Sequence, residues 1–243
     1  MKTVYIGIDD TDNPETRGTG FQARQLVQRL QESAMALCRG VTRHQLLVDE
    51  RVPYTSHNSA ACLEVDARAD LDTLTEFCRE FLLEIAAAGS DVGLCVAERG
   101  QAAAATGFGK SAQKEVLTQA EAVALSGVHG IRLQGLTGDR QGIIGALSAV
   151  GLFADGDDGR YIWNKGLREM AETSVSYAEF RRKTNIDKVR MLDNSNVEED
   201  ARLELGPWPR AVRMNKQSVL LVEKLHDKHY KVLDKDAIKS VRP

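Results

Sequence analysis

No two cysteines in this 243-residue chain stand at C-x-x-C spacing. Cys38, Cys62, Cys78 and Cys95 are scattered, which argues against a zinc ribbon and for buried free thiols. No apolar run approaches the roughly 18 residues that cross a bilayer. The opening MKTVYIGIDD reaches two acids too early for a secretory leader. The expected setting is the cytoplasm, without a membrane partner. No G-x-x-x-x-G-K-[ST] stretch occurs, which excludes a P-loop. Internal repeats and low-complexity tracts are absent too. With 42% hydrophobic and 28% charged residues, the chain has a globular balance and the length to bury a core.

Charge is unevenly spread. Residues 1–159 hold 14 basic and 22 acidic side chains, a net of −8, whereas residues 160–243 hold 18 and 13, a net of +5. An acidic front and a basic tail imply two modules, and a basic module is suited to nucleic acid. A plain solvated surface fits the same charge.

Periodicity predicts an alternation of strands and helices through about residue 155. TVYIGI over 3–8 reads as a buried strand, stopped by the turn residues of 9–14. Residues 21–37 read as an amphipathic helix, and 44–52 and 59–66 as strands. Asp70 is placed to cap a helix whose apolar residues run from Leu71 to Ile85 at helical spacing. Strands are expected at 91–97 and 129–134. Thr118 and Glu121 form a capping box, and a helix rich in small residues covers 141–150. The expected fold is a layered α/β domain over 1–158, with helices against a sheet. A small β-rich module over 159–243 should contain a hairpin of 218–225 and 230–234 joined by a four-residue turn.

Three constellations carry possible chemistry. Asp9, Asp10 and Asp12 follow the first strand, and in open α/β sheets ligands bind beyond strand ends. Clustered carboxylates suit Mg²⁺ bridged to phosphates, and equally an Asx turn that ends the strand. Gly18, Thr19 and Gly20 precede the first helix, where glycine permits close approach of an anion or simply makes a loop flexible. Residues 138–151 run from a turn into a small-residue helix. Gly142 and Gly145 either approach a phosphate paired by Arg140 or allow tight packing on the sheet. His226 and His229, and likewise Asp155, Asp157 and Asp158, read as surface turns.

These features occur in an ordered series. Gly7-Ile-Asp-Asp-Thr-Asp12 resembles the opening signature of the archaeal agmatidine synthase family, which modifies an isoleucine tRNA. Val52-Pro-Tyr54 and the turn before Ala60-Ala61 resemble its Pro-Trp-Lys-Thr-Arg-Gly-Asn segment. The run from Gly107 through Lys110 to Thr118 is similar to its Phe-Gly-Arg-Arg-Ala-Val-Lys stretch. His129 to Leu133 and Gly135 to Gly151 are similar to its glycine-rich block. The resemblance covers roughly residues 4–153 and implies a kinase-type and ferredoxin-like fold that uses ATP to activate a tRNA. It implies that Asp9, Asp10 and Asp12 handle metal and phosphates. Gly18, Gly20, Lys110, Arg140, Gly142 and Gly145 would hold the nucleotide. The family's Gly-x-Cys-Thr-Thr stretch is here Gly18-Thr-Gly-Phe-Gln22, so Thr19 would have to supply the catalytic hydroxyl. The family's zinc ribbon has no counterpart, and its OB-fold is not evident in the tail. The expectation is a Mg²⁺- and ATP-dependent phosphoryl- or adenylyl-transfer enzyme, its acceptor open and RNA a candidate. A non-catalytic nucleotide- or RNA-binding protein is the alternative, and a metal-carboxylate hydrolase a third reading.

Overall fold

The computed structural model describes residues 1–52 and 58–241. Most of the turn matched to the Pro-Trp-Lys segment, 53–57, lies outside the described residues. The chain divides into two compact units, Met1–Asp155 and Gly156–Pro243.

The first unit runs β1 (Lys2–Asp9), α1 (Thr19–Glu32), β2 (Ala36–Gln45), β3 (Ser59–Ala67), α2 (Leu71–Ile85), β4 (Gly93–Glu98), α3 (Arg99–Ala102), α4 (Thr106–Ala112), α5 (Gln119–His129), β5 (Arg132–Gly135) and α6 (Gly142–Asp155). Its sheet has the order β5-β4-β1-β3-β2. The layered α/β class is as expected, but all four pairings are antiparallel. The carboxyl-end crevice of a parallel sheet therefore does not explain the site, which needs another cause.

That cause is the seating of α6. Along β1, alternate residues face opposite sides of the sheet. Tyr5 and Gly7 face α6, and the Tyr5 ring meets Phe153 edge-on at 4.7 Å. A Cβ on Gly7 would lie 2.0 Å from the Ala146 carbonyl oxygen, and one on Gly93 2.1 Å from that of Gly142. Both strands thus meet the helix backbone directly. The other face takes α1 and α2, where Leu26, Leu30, Leu74, Cys78 and Leu82 are fully buried. All four cysteines are buried thiols rather than disulfide partners.

Local signals explain several boundaries. Asp70 caps α2 by accepting the Thr73 N–H at 2.9 Å. Thr118 and Glu121 form the reciprocal capping box of α5. Strand β2 departs from expectation: it covers 36–45, whereas 46–52 is irregular. The first helix stops at Glu32 because Ala34 turns the chain at φ 56°, a left-handed conformation usually filled by glycine.

The second unit comprises β6 (Arg160–Asn164), a 3₁₀ turn (Arg168–Met170), β7 (Ser174–Ser176), α7 (Tyr177–Lys183), β8 (Lys188–Met191), β9 (Arg202–Glu204), β10 (Ala211–Met214), β11 (Gln217–His226), β12 (His229–Val232) and α8 (Lys235–Val241). Strands run in the order β6-β10-β11-β12-β9-β7, with β8 pairing parallel to β11. Val212, Val219, Leu221, Leu233 and Ile238 form a core cluster. The hairpin is present, but His226 pairs with His229, so its turn is the two residues Asp227 and Lys228. Lys228 takes φ 54°, as a tight hairpin turn demands. Among the described residues no helix is long and apolar enough to cross a membrane.

The contact of β1 with α6 can be tested with one substitution made at two glycines. Gly7→Ala should lower stability by about 3 kcal/mol or more, because its methyl meets backbone. Gly107→Ala, at an exposed position of helix α4 with nothing within 4 Å of the new methyl, should raise it by about 0.5–1 kcal/mol. Urea melts of the two variants check both signs.

Candidate functional site

Three aspartates leave β1 along a sharply turned backbone. Asp9 ends the strand, and Asp10 adopts φ 50°, an uncommon conformation for a residue with a Cβ. Asp10 is tied across the site, its Oδ2 accepting the Asp91 N–H at 2.9 Å. Asp12 faces the start of α1. Its Oδ1 accepts the Thr19 N–H at 2.8 Å and the Thr19 hydroxyl at 2.9 Å. A carboxylate on first-turn donors is favoured by the partial positive charge of a helix start. The Thr19 oxygen also accepts the Thr11 N–H at 3.3 Å and the Thr11 hydroxyl at 3.2 Å. One hydroxyl thus gives its proton to Asp12 and accepts two.

The glycine turn before α6 closes the opposite side. Thr137 Oγ1 donates to the Ser90 carbonyl at 2.6 Å and accepts the Val92 N–H at 2.9 Å. Asp91 Oδ1 accepts the Asp139 N–H at 2.7 Å. Gly138 has φ 51° and sits where a Cβ would be 1.7 Å from Asp91 Oδ1. Asp91 is a fourth aspartate of the site that sequence reasoning missed. Its signal was slight, a Gly-Ser-Asp turn ahead of a strand.

These segments enclose a cavity of about 590 Å³. Asp9, Asp10, Asp12, Thr19 and Asp91 line its acidic side, and Leu46, Leu47, Val116, Leu117 and Ile144 supply apolar wall. Gly142 and Gly145 line it as well. A Cβ on Gly145 would lie 1.8 Å from Asp9 Oδ2, and one on Gly142 would lie 2.3 Å from the Asp91 carbonyl oxygen. Both glycines therefore make room for protein atoms, and at Gly145 that atom is a site carboxylate. The other candidates do not line the cavity, although Gly18 lies beside Asp12. Gly18 is the N-cap of α1, and the Gly20 carbonyl accepts from Arg24 at 2.9 Å. Lys110 pairs with Asp155 at 2.7 Å. Arg140, at φ 64°, packs its aliphatic carbons against Gly135. At the rim, Arg51 is held by Asp49 at 2.7 Å.

Burial pushes the Asp9 carboxyl from its ordinary 3.8 up to about 7, with Asp10 and Asp12 adding repulsion against a hydrogen bond from the Asp10 backbone. Asp10 is raised in the same direction, first by burial, then by Asp91 and Asp12, against the Asp91 N–H. Among the described residues no three His, Cys, Asp or Glu side chains are grouped to hold a metal. Asp12 is turned to Thr19, which leaves Asp9 and Asp10 as the pair best placed for one. Two carboxylates suit Mg²⁺, which keeps several waters and takes its remaining ligands from phosphates. On the hairpin, the His226 and His229 rings lie tilted at 4.2 Å, with no third ligand beside them among the described residues.

An antiparallel sheet with helices against it and an acidic, half-apolar cavity at one end defines a layered α/β unit with a candidate ligand cavity. Solved structures of TiaS, an isoleucine-tRNA agmatidine synthetase, are similar to it. The apo enzyme matches at 26% identity and TM-score 0.54, covering 61% of this chain and 35% of that one. The complex of TiaS with its tRNA and ATP matches at 28% and 0.56, covering 62% and 36%. The complex with its tRNA, AMPCPP and agmatine matches at 27% and 0.55, again covering 62% and 36%. No protein-family model and no curated protein sequence matches the chain. The chain therefore has a TiaS-like N-terminal part, and it spans little more than a third of the length of the structures it matches.

The Asp9 environment has a measurable consequence. A carboxyl with a raised folded pKa favours the protonated fold. Its contribution is full below about 3.8 and is lost as pH rises to about 7. Wild type should therefore lose thermal stability over that window relative to Asp9→Asn. Millimolar Mg²⁺ should raise the wild-type melting temperature at pH 8 more than that of the variant. Calorimetry across pH, with and without Mg²⁺, reads both effects.

Proposed function

We propose that the Met1–Asp155 unit uses ATP to transfer a phosphoryl or adenylyl group, with Mg²⁺, to an acceptor carried by RNA. The observation that carries this reading is that Thr19 lines the same cavity as Asp9, Asp10 and Asp12. The matched TiaS structures, one in complex with a tRNA and ATP, support the nucleotide and the RNA.

Phosphoryl transfer relies mainly on positioning and on charge neutralisation. Asp9 and Asp10 would hold the Mg²⁺, which when bound supplies positive charge to the phosphates. Burial of the pair makes a cation worth more there than in water. The apolar wall from Leu46, Leu47, Val116, Leu117 and Ile144 offers a surface for the flat face of a base and excludes water from the acidic side. Asp12 holds the Thr19 proton and is thus the group that would accept it. Asp91 fixes the glycine turn and, through its N–H, one oxygen of Asp10.

A second reading is favoured by one observation. The Thr19 oxygen already accepts two hydrogen bonds and donates one, so attack through it requires the Thr11 contacts to loosen. In a non-catalytic nucleotide-binding protein the same contacts would simply lock the loop.

Asparagine variants of the aspartates separate these readings. Asp10→Asn and Asp12→Asn keep the shape and an acceptor oxygen but remove the charge. Each should reduce Mg²⁺-dependent ATP turnover by about 100-fold or more, with a melting temperature close to wild type. Thr19→Ala should abolish turnover in the catalytic reading, and Thr19→Ser should retain part of it. ATP binding by wild type without turnover, in the presence of a mixed tRNA pool, would establish the binding protein instead.

A further inference from the structure

Three arginines gather in the Gly156–Pro243 unit. Arg160 opens β6, Arg168 begins the 3₁₀ turn and Arg210 immediately precedes β10. The β6–β10 pairing sets Val212 opposite Arg160, which brings Arg210 within two residues of that contact. Arg210 is partly buried, and burial together with repulsion from Arg160 and Arg168 acts against its charge. Asp158 offsets Arg160. No ion pair or side-chain hydrogen bond engages the Arg210 guanidinium among the described residues. Burying a cation beside like charges is costly unless an anion completes the site.

An aromatic surface lies beside this charge. Trp208 stands between Pro207 and Pro209 and is 55% exposed. The Arg168 guanidinium lies over its ring at 4.4 Å. The flanking prolines stiffen the backbone that carries the indole. Stacked on the ring, the Arg168 fork is also held in one place. Cations that suit phosphates and a flat aromatic face together make the combination that binds single-stranded nucleic acid, because every unpaired base has a face to stack. A duplex keeps those faces covered. The basic run on α7 is less available: Lys183 is paired with Glu179 at 2.7 Å, and Arg181 lies over Tyr177.

We propose that Arg160, Arg168, Arg210 and Trp208 bind an unpaired stretch of RNA, the arginines taking its phosphates and Trp208 stacking on a base. The inference rests on the reading that RNA carries the acceptor, and it gives that RNA a place on the second unit.

The test uses the full chain and an oligouridylate of about 10 nucleotides, with duplex RNA and a heparin fragment as comparisons. Tryptophan fluorescence should be quenched by the oligonucleotide in wild type and in Trp163→Phe, but not in Trp208→Phe. The pair Arg168→Ala and Arg210→Ala together should weaken binding by about tenfold or more. Their loss should also flatten the salt dependence by about 0.7 per arginine removed. Arg210→Ala should not lower the melting temperature, since it relieves repulsion. If it does, Trp208→Ala, at an exposed position, decides the matter through affinity alone. Unchanged affinity in these variants, equal binding of duplex or heparin, or no binding by wild type overturns the proposal. ATP turnover measured on the same samples keeps the two readings apart. Binding with no turnover sinks the catalytic assignment and leaves this site. Turnover with no binding sinks this site alone.

Discussion

The approach of helix α6 to strands β1 and β4 is the constraint on which the first unit rests. Gly7 and Gly93 bring strand and helix backbones together without intervening side chains. The seating of α6 places its first turn against Asp9, at the end of β1, and Asp91, which leads into β4. The β1–β4 pairing sets Asp9 opposite Gly93, two residues after Asp91, and α6 closes over both from one side. The site is therefore a product of close backbone packing, and the small residues of α6 serve the sheet and the cavity together.

Four aspartates share that cavity, and the protein meets their mutual repulsion differently at each position. Asp12 is satisfied by the start of α1 and by a hydroxyl. Asp91 accepts from the glycine turn. Asp10 accepts one cross-site N–H. Asp9 is buried hardest, and its charged form is the least supported. This gradation puts the greatest unmet demand for positive charge at the strand end, beside the apolar wall.

Much of the first unit was legible in the sequence because its signals are local. The apolar rows of α2, the cap at Asp70 and the box at Thr118 report structure within a few residues, and each element appears where expected. Strand β2 was misplaced because the turn before it uses Ala34 at φ 56° where a glycine would have marked the break. The aspartate cluster was legible as a motif and Thr19 as its partner. Asp91 was not, because its role arises from segments far apart in sequence that meet only in the fold. Lys110, placed at the nucleotide by the family resemblance, is paired with Asp155, and Arg140, read beside the glycine turn as a phosphate partner, packs on Gly135. Charge segregation marked the second unit as basic, but its arginine cluster depends on pairing between β6 and β10 that periodicity does not reveal.

The four sulfurs have a practical corollary. All are buried, and desolvation pushes the Cys38 thiol up to about 12 and moves Cys78 and Cys95 in the same direction. Thiolate is the form that reacts with maleimides and disulfides. The folded chain is in effect blank to thiol chemistry. One cysteine introduced at an exposed position, such as the hairpin turn at Asp227, would give a single attachment point for a spectroscopic label, with the native sulfurs left in place.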